Sequence, residues 1–190
     1  MHFDDTYLDI INAAKVDISV GRNSEAKNAM LKRIQEMTHG TVVYDANKDE
    51  FYLKSGSSKQ EFTLVAEGIR TMALLWQLVK NGTLEKGSIL FWDEPEANIN
   101  PTYIPIIVEM LLELQRKGVQ IFISTHDYMI ASYFEVKKQA NNDIVFHSLS
   151  RVEDAGNIQY EKAEKFADLK SNAIIAAFNA LLNEIYNMGL

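Results

Sequence analysis

Two stretches of this sequence run from apolar residues straight into groups that can do chemistry. "SILFWDEPEANINP", residues 88 to 101, carries Ile89 to Trp92 into Asp93 and Glu94, then a proline and a third carboxylate, Glu96. "VQIFISTHD" ends in Ser124, Thr125, His126 and Asp127. In an open α/β sheet, ligands gather at the carboxyl ends of the strands. Two carboxylates and a histidine at one such edge are the makings of a metal–phosphate site. Asp93 suits Mg²⁺ held partly through water, because hard oxygen donors suit that ion. Glu94, one residue on, is placed to polarise an attacking water. His126 can donate a hydrogen bond to a terminal phosphate. Either stretch alone is ordinary, since an Asp-Glu pair after a strand is often a solvated turn. The pair in this order and spacing is far more specific.

These residues need a scaffold that brings two strand ends together. "SILFW" and "VQIFIST" are unbroken apolar runs, the mark of parallel strands covered by helices on both sides. Between them lies "PTYIPIIVEMLLELQRKG", predicted as a helix. Asn100 is its cap, Pro101 its first position and Gly118 its end, and Ile104, Ile107, Val108, Leu111 and Leu112 form its buried stripe. Strand, helix and strand at this spacing make a right-handed βαβ unit. Upstream, Ser24 caps a helix ended by Gly40. "TVVYD" and "EFYLK" pair as a hairpin, and "SGSSKQ" reads as a flexible polar tip. "GIRTMALLWQLVKNG" is a helix apolar on most sides and hence buried on more than one face. Residues 3 to 14 suit a short helix and "VDISV" a strand. "DIVFHSLS" and "GNIQYEK" suit an antiparallel pair across the "VEDAGN" turn. The last helix, about 171 to 187, carries Ile174, Phe178, Leu181, Leu182 and Ile185 on one face.

Composition bounds the possibilities. The absence of cysteine excludes zinc ribbons, disulfide scaffolds and thiol catalysis and fits a reducing, cytoplasmic setting. A net charge of −7 argues against a surface that grips nucleic acid all over. The acidic N-terminus does not read as a signal peptide, and no apolar run reaches the ~20 residues of a membrane span. His147, His2 and His39 read as structural or surface histidines.

The combined pattern resembles a family. "ILFWDEPEANINP" is similar to the Walker B motif and D-loop of ABC-type ATPases, and "IFISTHD" looks like their H-loop. "LVAEGIRTMALLWQL" resembles the signature helix of the RecF/SMC-like "AAA family ATPase" branch. The resemblance covers residues 40 to 150 well and the flanks loosely. It implies an α/β P-loop NTPase fold, C-terminal portion, with a mainly parallel sheet flanked by helices. Residues 1–39 are then a helical lead-in, 40–150 the core, and 151–190 a terminal hairpin and helix. It further implies ATP and Mg²⁺ closed between two head-to-tail protomers, a homodimer. Asp93 would be the Mg²⁺ residue, Glu94 the catalytic base and His126 the γ-phosphate sensor. Asn98 to Pro101 would lie at the dimer interface, with Asn98 and Asn100 near nucleotide. Glu67, Gly68 and Arg70 would face the opposite protomer's phosphates, where the helix start offers N–H groups to an anion. Where transporters carry Ser-Gly-Gly, this chain has Ala66-Glu67-Gly68. Glu67 has the wrong sign beside a phosphate, so it must point away or serve another purpose.

One expected part is not found. The phosphate loop G-x-x-x-x-G-K-[ST] wraps phosphates with backbone N–H groups and a lysine. The nearest stretch, "GRNSEAKN", has Ala26 at the second glycine and Asn28 at the hydroxyl. A side chain at that glycine obstructs the backbone's approach, so an ordinary capped helix is the better reading. The chain therefore reads as the C-terminal part of an ATPase head, inactive without its Walker A half. A non-catalytic dimerisation or regulatory module derived from such a head is the alternative. A metal-dependent nuclease built on Asp93, Glu94 and Glu96 lacks a second carboxylate cluster for two metals. DNA and defence-system partners fit the branch; a membrane does not.

Overall fold

The computed structural model describes residues 5–16, 23–139, 143–151 and 157–188, with side chains from Asp9 onward. The expected strand "VDISV" and the start of "GRNSEAKN" fall largely outside these residues, as does most of the "VEDAGN" turn. Six helices and seven strands follow: α1 (Asp5–Lys15), α2 (Glu25–Thr38), β1 (Thr41–Asp45), β2 (Glu50–Ser55), β3 (Ser58–Glu61), α3 (Glu67–Lys80), β4 (Ile89–Asp93), α4 (Ile104–Arg116), β5 (Gln120–Ser124), α5 (Tyr128–Lys137), β6 (Phe146–Arg151), β7 (Ile158–Ala163) and α6 (Ala173–Met188).

The centre is the βαβ unit. β4 pairs with β5 in parallel, with Phe91 opposite Phe122 and Asp93 opposite Ser124. The linker α4 starts from a 3-10 turn at Pro101–Tyr103, where the Asn100 side chain accepts the Thr102 N–H. It ends where Gly118, at φ 94°, turns the chain into β5. The left-handed conformation there favours glycine. Every residue of the expected stripe of α4 is buried, with Met110 and Leu114 beside them. Ile107 and Val108 are wholly inaccessible.

α3 is buried over most of its girth, through Met72, Ala73, Leu75, Trp76, Leu78 and Val79. Two of its buried amides tie it to α1: Gln77 Nε2 donates to the Ala14 carbonyl at 3.0 Å and Asn81 Nδ2 to the Ala13 carbonyl at 2.8 Å. α2 packs on α3. Its cap is Ser24, whose Oγ accepts the Lys27 N–H, so Lys27 stands in an ordinary first turn. An ion network joins α2 to α4 and α5. Arg33 Nη2 donates to Glu113 Oε2 at 2.5 Å, Lys117 Nζ to Glu113 Oε1 at 2.8 Å and Lys137 Nζ to Glu109 Oε1 at 2.5 Å. Burial pushes the Glu113 carboxyl up, but the hydrogen bonds from Lys117 and Arg33 outweigh it and hold the group below its ordinary range.

Three expectations need correction. The parallel part of the sheet is one pair, β4–β5, while β1–β2–β3 and β6–β7 are antiparallel among the described residues. "SGSSKQ" is not a free tip. Gly56 turns the chain back and Ser58–Glu61 pairs with β2 as an edge strand. All four of its side chains are exposed, and Lys59 reaches back over the Tyr52 ring, 3.8 Å from its centroid, and to Asp45 at 3.6 Å. The C-terminal stripe is packed only in part. Phe178 stacks on Tyr128, centroids 3.8 Å apart, but Leu181, Leu182, Tyr186 and Met188 stand in solvent.

The third correction concerns the β4–β5 pair itself. Leu90, Trp92, Ile121 and Ile123 pack on the main core. The opposite face is uncovered: Phe91 is 74% exposed, Ile89 56% and Phe122 47%. Phe91 and Phe122 stack on each other at 4.9 Å. An unbroken apolar run correctly signals a strand with two apolar faces, and only one of them is covered by the described residues.

Candidate nucleotide site

The edge at the carboxyl end of β4–β5 is built by register. Because Asp93 lies opposite Ser124, the Ser124 hydroxyl donates to Asp93 Oδ1. Side chains alternate along a strand. Asp93 and Ser124 therefore stand on the same side of the pair as Ile89, Phe91 and Phe122, the uncovered side.

After Asp93 the chain leaves the strand sharply. Glu94 sits at φ 47°, in the left-handed region that non-glycine residues avoid. Its N–H still donates across to the Ser124 carbonyl at 2.9 Å, and its carbonyl accepts the Ala97 N–H at 2.9 Å. This aims the side chain at the next loop, where Glu94 Oε1 lies 2.8 Å from His126 Nδ1. Such backbone strain is common at functional sites, where the surroundings must hold it. Thr125 donates its hydroxyl to Glu96 Oε1 and accepts the Asp127 N–H at 3.0 Å. Asp127 caps α5 by accepting the Ile130 N–H at 2.9 Å. The structure thus brings Asp93, Glu94 and His126 to one edge. It adds Ser124, Thr125 and Glu96, which positioned nothing in the sequence reading.

The Glu94–His126 contact constrains proton positions. A carboxylate only accepts, so Nδ1 carries the proton. In the neutral ring Nε2 is then an acceptor and would repel a phosphate oxygen. His126 can donate to a phosphate while keeping Glu94 only as the doubly protonated imidazolium, or it must give up Glu94 first.

The other candidates gather at the start of α3. Glu67 is exposed and opens the helix, and Gly68 is buried. A Cβ at Gly68 would lie 2.1 Å from the Asn98 carbonyl oxygen and 3.1 Å from the Ile99 side chain. The glycine is there because the loop after β4 rests on the helix. Asn98, at φ 58°, sends its side-chain N–H to Glu67 Oε2 at 2.9 Å. That is the alternative engagement that Glu67 required. Asn100 is engaged in capping. Arg70, in the same first turn, hydrogen-bonds through its backbone to Ala66.

For Mg²⁺ the donors fit as far as they go. The Asp93 carboxylate and Ser124 hydroxyl are hard oxygens at an accessible edge. No group of three or more acidic, histidine or cysteine side chains among the described residues is arranged around a metal position. Glu96 turns to Thr125 instead, which removes the third carboxylate a nuclease centre would use.

The fold that carries this edge is shared with ATPase heads, and similarity to known proteins supports the ABC/RecF/SMC-like branch of the P-loop ATPases. The family model described as "AAA domain, putative AbiEii toxin, Type IV TA system" matches residues 3–132, and the chain belongs to that family. The chain is 41% identical over 49 residues to the energy-coupling factor transporter ATP-binding protein EcfA of Methanothermobacter thermautotrophicus. That match covers 26% of this chain and 16% of the relative, so the chain spans only a small part of that protein. Among the solved structures that share the fold are the following three. One, from "Structural biochemistry of ATP-driven dimerization and DNA stimulated activation of SMC ATPases", has a TM-score of 0.52 at 9% identity and covers 96% of both chains. The Smc head domain with a coiled coil and joint from Pyrococcus yayanosii gives 0.54 at 12%, over 80% of this chain and 29% of that one. The SmcHead bound to the C-winged helix domain of ScpA gives 0.52 at 12%, over 82% and 53%. At these identities the likeness is one of fold. No helix among the described residues is long and apolar enough to cross a membrane.

Proposed function

We propose that this chain is the C-terminal part of an ABC/RecF-like ATPase head that binds and hydrolyses ATP with Mg²⁺ at a head-to-tail dimer interface, and that it turns over ATP only when a phosphate-loop segment completes it. One observation carries the reading. Asp93 and Ser124 stand on the same side of β4–β5 as the bare stack of Phe91 and Phe122, so a segment covering that face arrives beside the acidic edge. Exposed apolar patches of this kind mark interaction sites.

The division of labour follows from chemistry. Asp93 and Ser124 are the residues that would hold Mg²⁺, which when bound neutralises phosphate charge. Glu94 orients a water and takes its proton. His126 holds Glu94 in line in the uncompleted chain and, released or doubly protonated, donates to the terminal phosphate. Loop 94–100, resting on α3, supplies the surface toward the second protomer, with Glu67, Gly68, Arg70, Asn98 and Asn100 around it. The sequence carries no G-x-x-x-x-G-K-[ST] loop to supply a cradle of amides and a lysine, and phosphoryl transfer depends mostly on such positioning. Without it Asp93 and Glu94 face an anion with negative charge. The cytoplasm, where ATP is plentiful, is the setting this reading requires.

The covering segment can be tested directly. Phe91→Asp should lower the melting temperature of the isolated chain only modestly, because the exposed ring gives up little beyond its stack on Phe122, about 0.5–1.5 kcal/mol. Co-purification with the segment bearing the phosphate loop should be lost, since a charge buried without a partner costs several kcal/mol. A Phe91→Asp chain that still assembles as the wild type does would show that the segment docks elsewhere.

A further inference from the structure

Glu67 and Asn98 are 31 residues apart in sequence, yet one hydrogen bond of 2.9 Å joins them. We infer that Glu67 is a positioning residue: it clamps loop 94–98 onto the start of α3 and thereby fixes the backbone of Glu94. This rests on the ATPase reading for its consequence, but not for its mechanics.

The mechanics run through a few bonds. Gly68 lets the Asn98 carbonyl approach to a distance no side chain would allow. Asn98 adopts φ 58°, a conformation asparagine tolerates better than most residues. Its side chain then reaches back to Glu67. Within the loop the Ala97 N–H closes on the Glu94 carbonyl at 2.9 Å and the Ile99 N–H on the Glu96 carbonyl at 3.2 Å. Glu94 itself is held at φ 47°. A strained residue keeps its conformation only if its neighbours over-determine it. On one side Ser124 and His126 do so. On the other side the loop has the Ala97 bond and, behind it, the Glu67–Asn98 clamp. Glu67 thus acts through a hydrogen bond accepted by its carboxylate rather than through charge on a phosphate, which explains an acidic residue where the helix start would otherwise invite an anion. Since α3 and loop 94–100 also form the surface offered to a second protomer, the same clamp ties that surface to the base.

Hydrogen exchange on the purified chain tests the mechanics without any nucleotide. Glu67→Ala removes the acceptor. The amides of Ala97 and Ile99 should then exchange about five- to ten-fold faster, the fold-change of one modest hydrogen bond, while the amides of α4 keep their protection. Glu67→Gln restores an acceptor without charge and should restore the slow exchange. Asn98→Gly keeps the left-handed backbone but removes the donor and should behave like Glu67→Ala. In the completed ATPase, Glu67→Ala should lower kcat with little change in KM for ATP, and Glu67→Gln should recover most of the loss. Unchanged exchange in Glu67→Ala would overturn the clamp. So would a Glu67→Gln chain that exchanges as fast as Glu67→Ala, since charge would then be what matters. If exchange responds as expected and no ATPase can be assembled, the clamp stands and the ATPase reading fails.

Discussion

In a head completed by its phosphate-loop segment, Glu94→Gln should lower ATP turnover by about 10²- to 10⁴-fold, the range for loss of a positioned general base. Glutamine keeps the size and one acceptor of the carboxylate but cannot take the proton of the attacking water. ATP should remain bound, because Asp93 and Ser124 are untouched and removal of one negative charge lessens repulsion of the anion. The variant should therefore accumulate as an ATP-bound dimer, visible as a larger species in light scattering only when nucleotide is present. The contact with His126 changes as well. The ring no longer faces a carboxylate, so Nδ1 need not hold the proton. Asp93→Asn should fail differently, losing ATP affinity as well as turnover. If Glu94→Gln hydrolyses ATP within a few-fold of the wild type, Glu94 is not the base.

Ile107→Ala should be strongly destabilising. Ile107 is completely inaccessible at the centre of α4. Removing most of a wholly buried isoleucine costs about 2–5 kcal/mol, transfer and cavity terms together. For a chain of this size each kcal/mol moves the midpoint by about 2–4 °C, so circular dichroism should report a loss of roughly 5–20 °C. The site should feel it too. α4 links the two strands whose ends carry Asp93 and His126, and its Glu109 and Glu113 anchor Arg33 and Lys137. A midpoint within a couple of degrees of the wild type would mean that α4 is not the centre of the core.

The sequence was most informative where several physical signals agreed. The apolar runs, the Asn100-Pro101 start and the Gly118 end all pointed to one βαβ unit, and the parallel register then brought Asp93, Glu94 and His126 to one edge. It was silent where a single signal had two meanings. An unbroken apolar run says that both faces of a strand are apolar, but not which is covered, so the exposure of Phe91 and Phe122 was not legible. β3 carries no apolar residue at all, so no hydrophobic pattern marked it as a strand. The α6 stripe is a real helical stripe with little of the chain against its C-terminal half. Glu67 announced only that its charge was misplaced; Asn98, its partner, was too far away in sequence to be matched to it.

The measurement that bears most directly on the central claim is steady-state ATP turnover by the purified chain, alone and with the phosphate-loop segment, using Glu94→Gln as the control for contaminating activity. The expected result is no turnover above the control for the chain alone and clear turnover once the segment is added. Robust turnover by the chain alone, lost in Glu94→Gln, would mean that the chain carries its own phosphate site. No turnover even with the segment bound to the Phe91 face would favour a non-catalytic module.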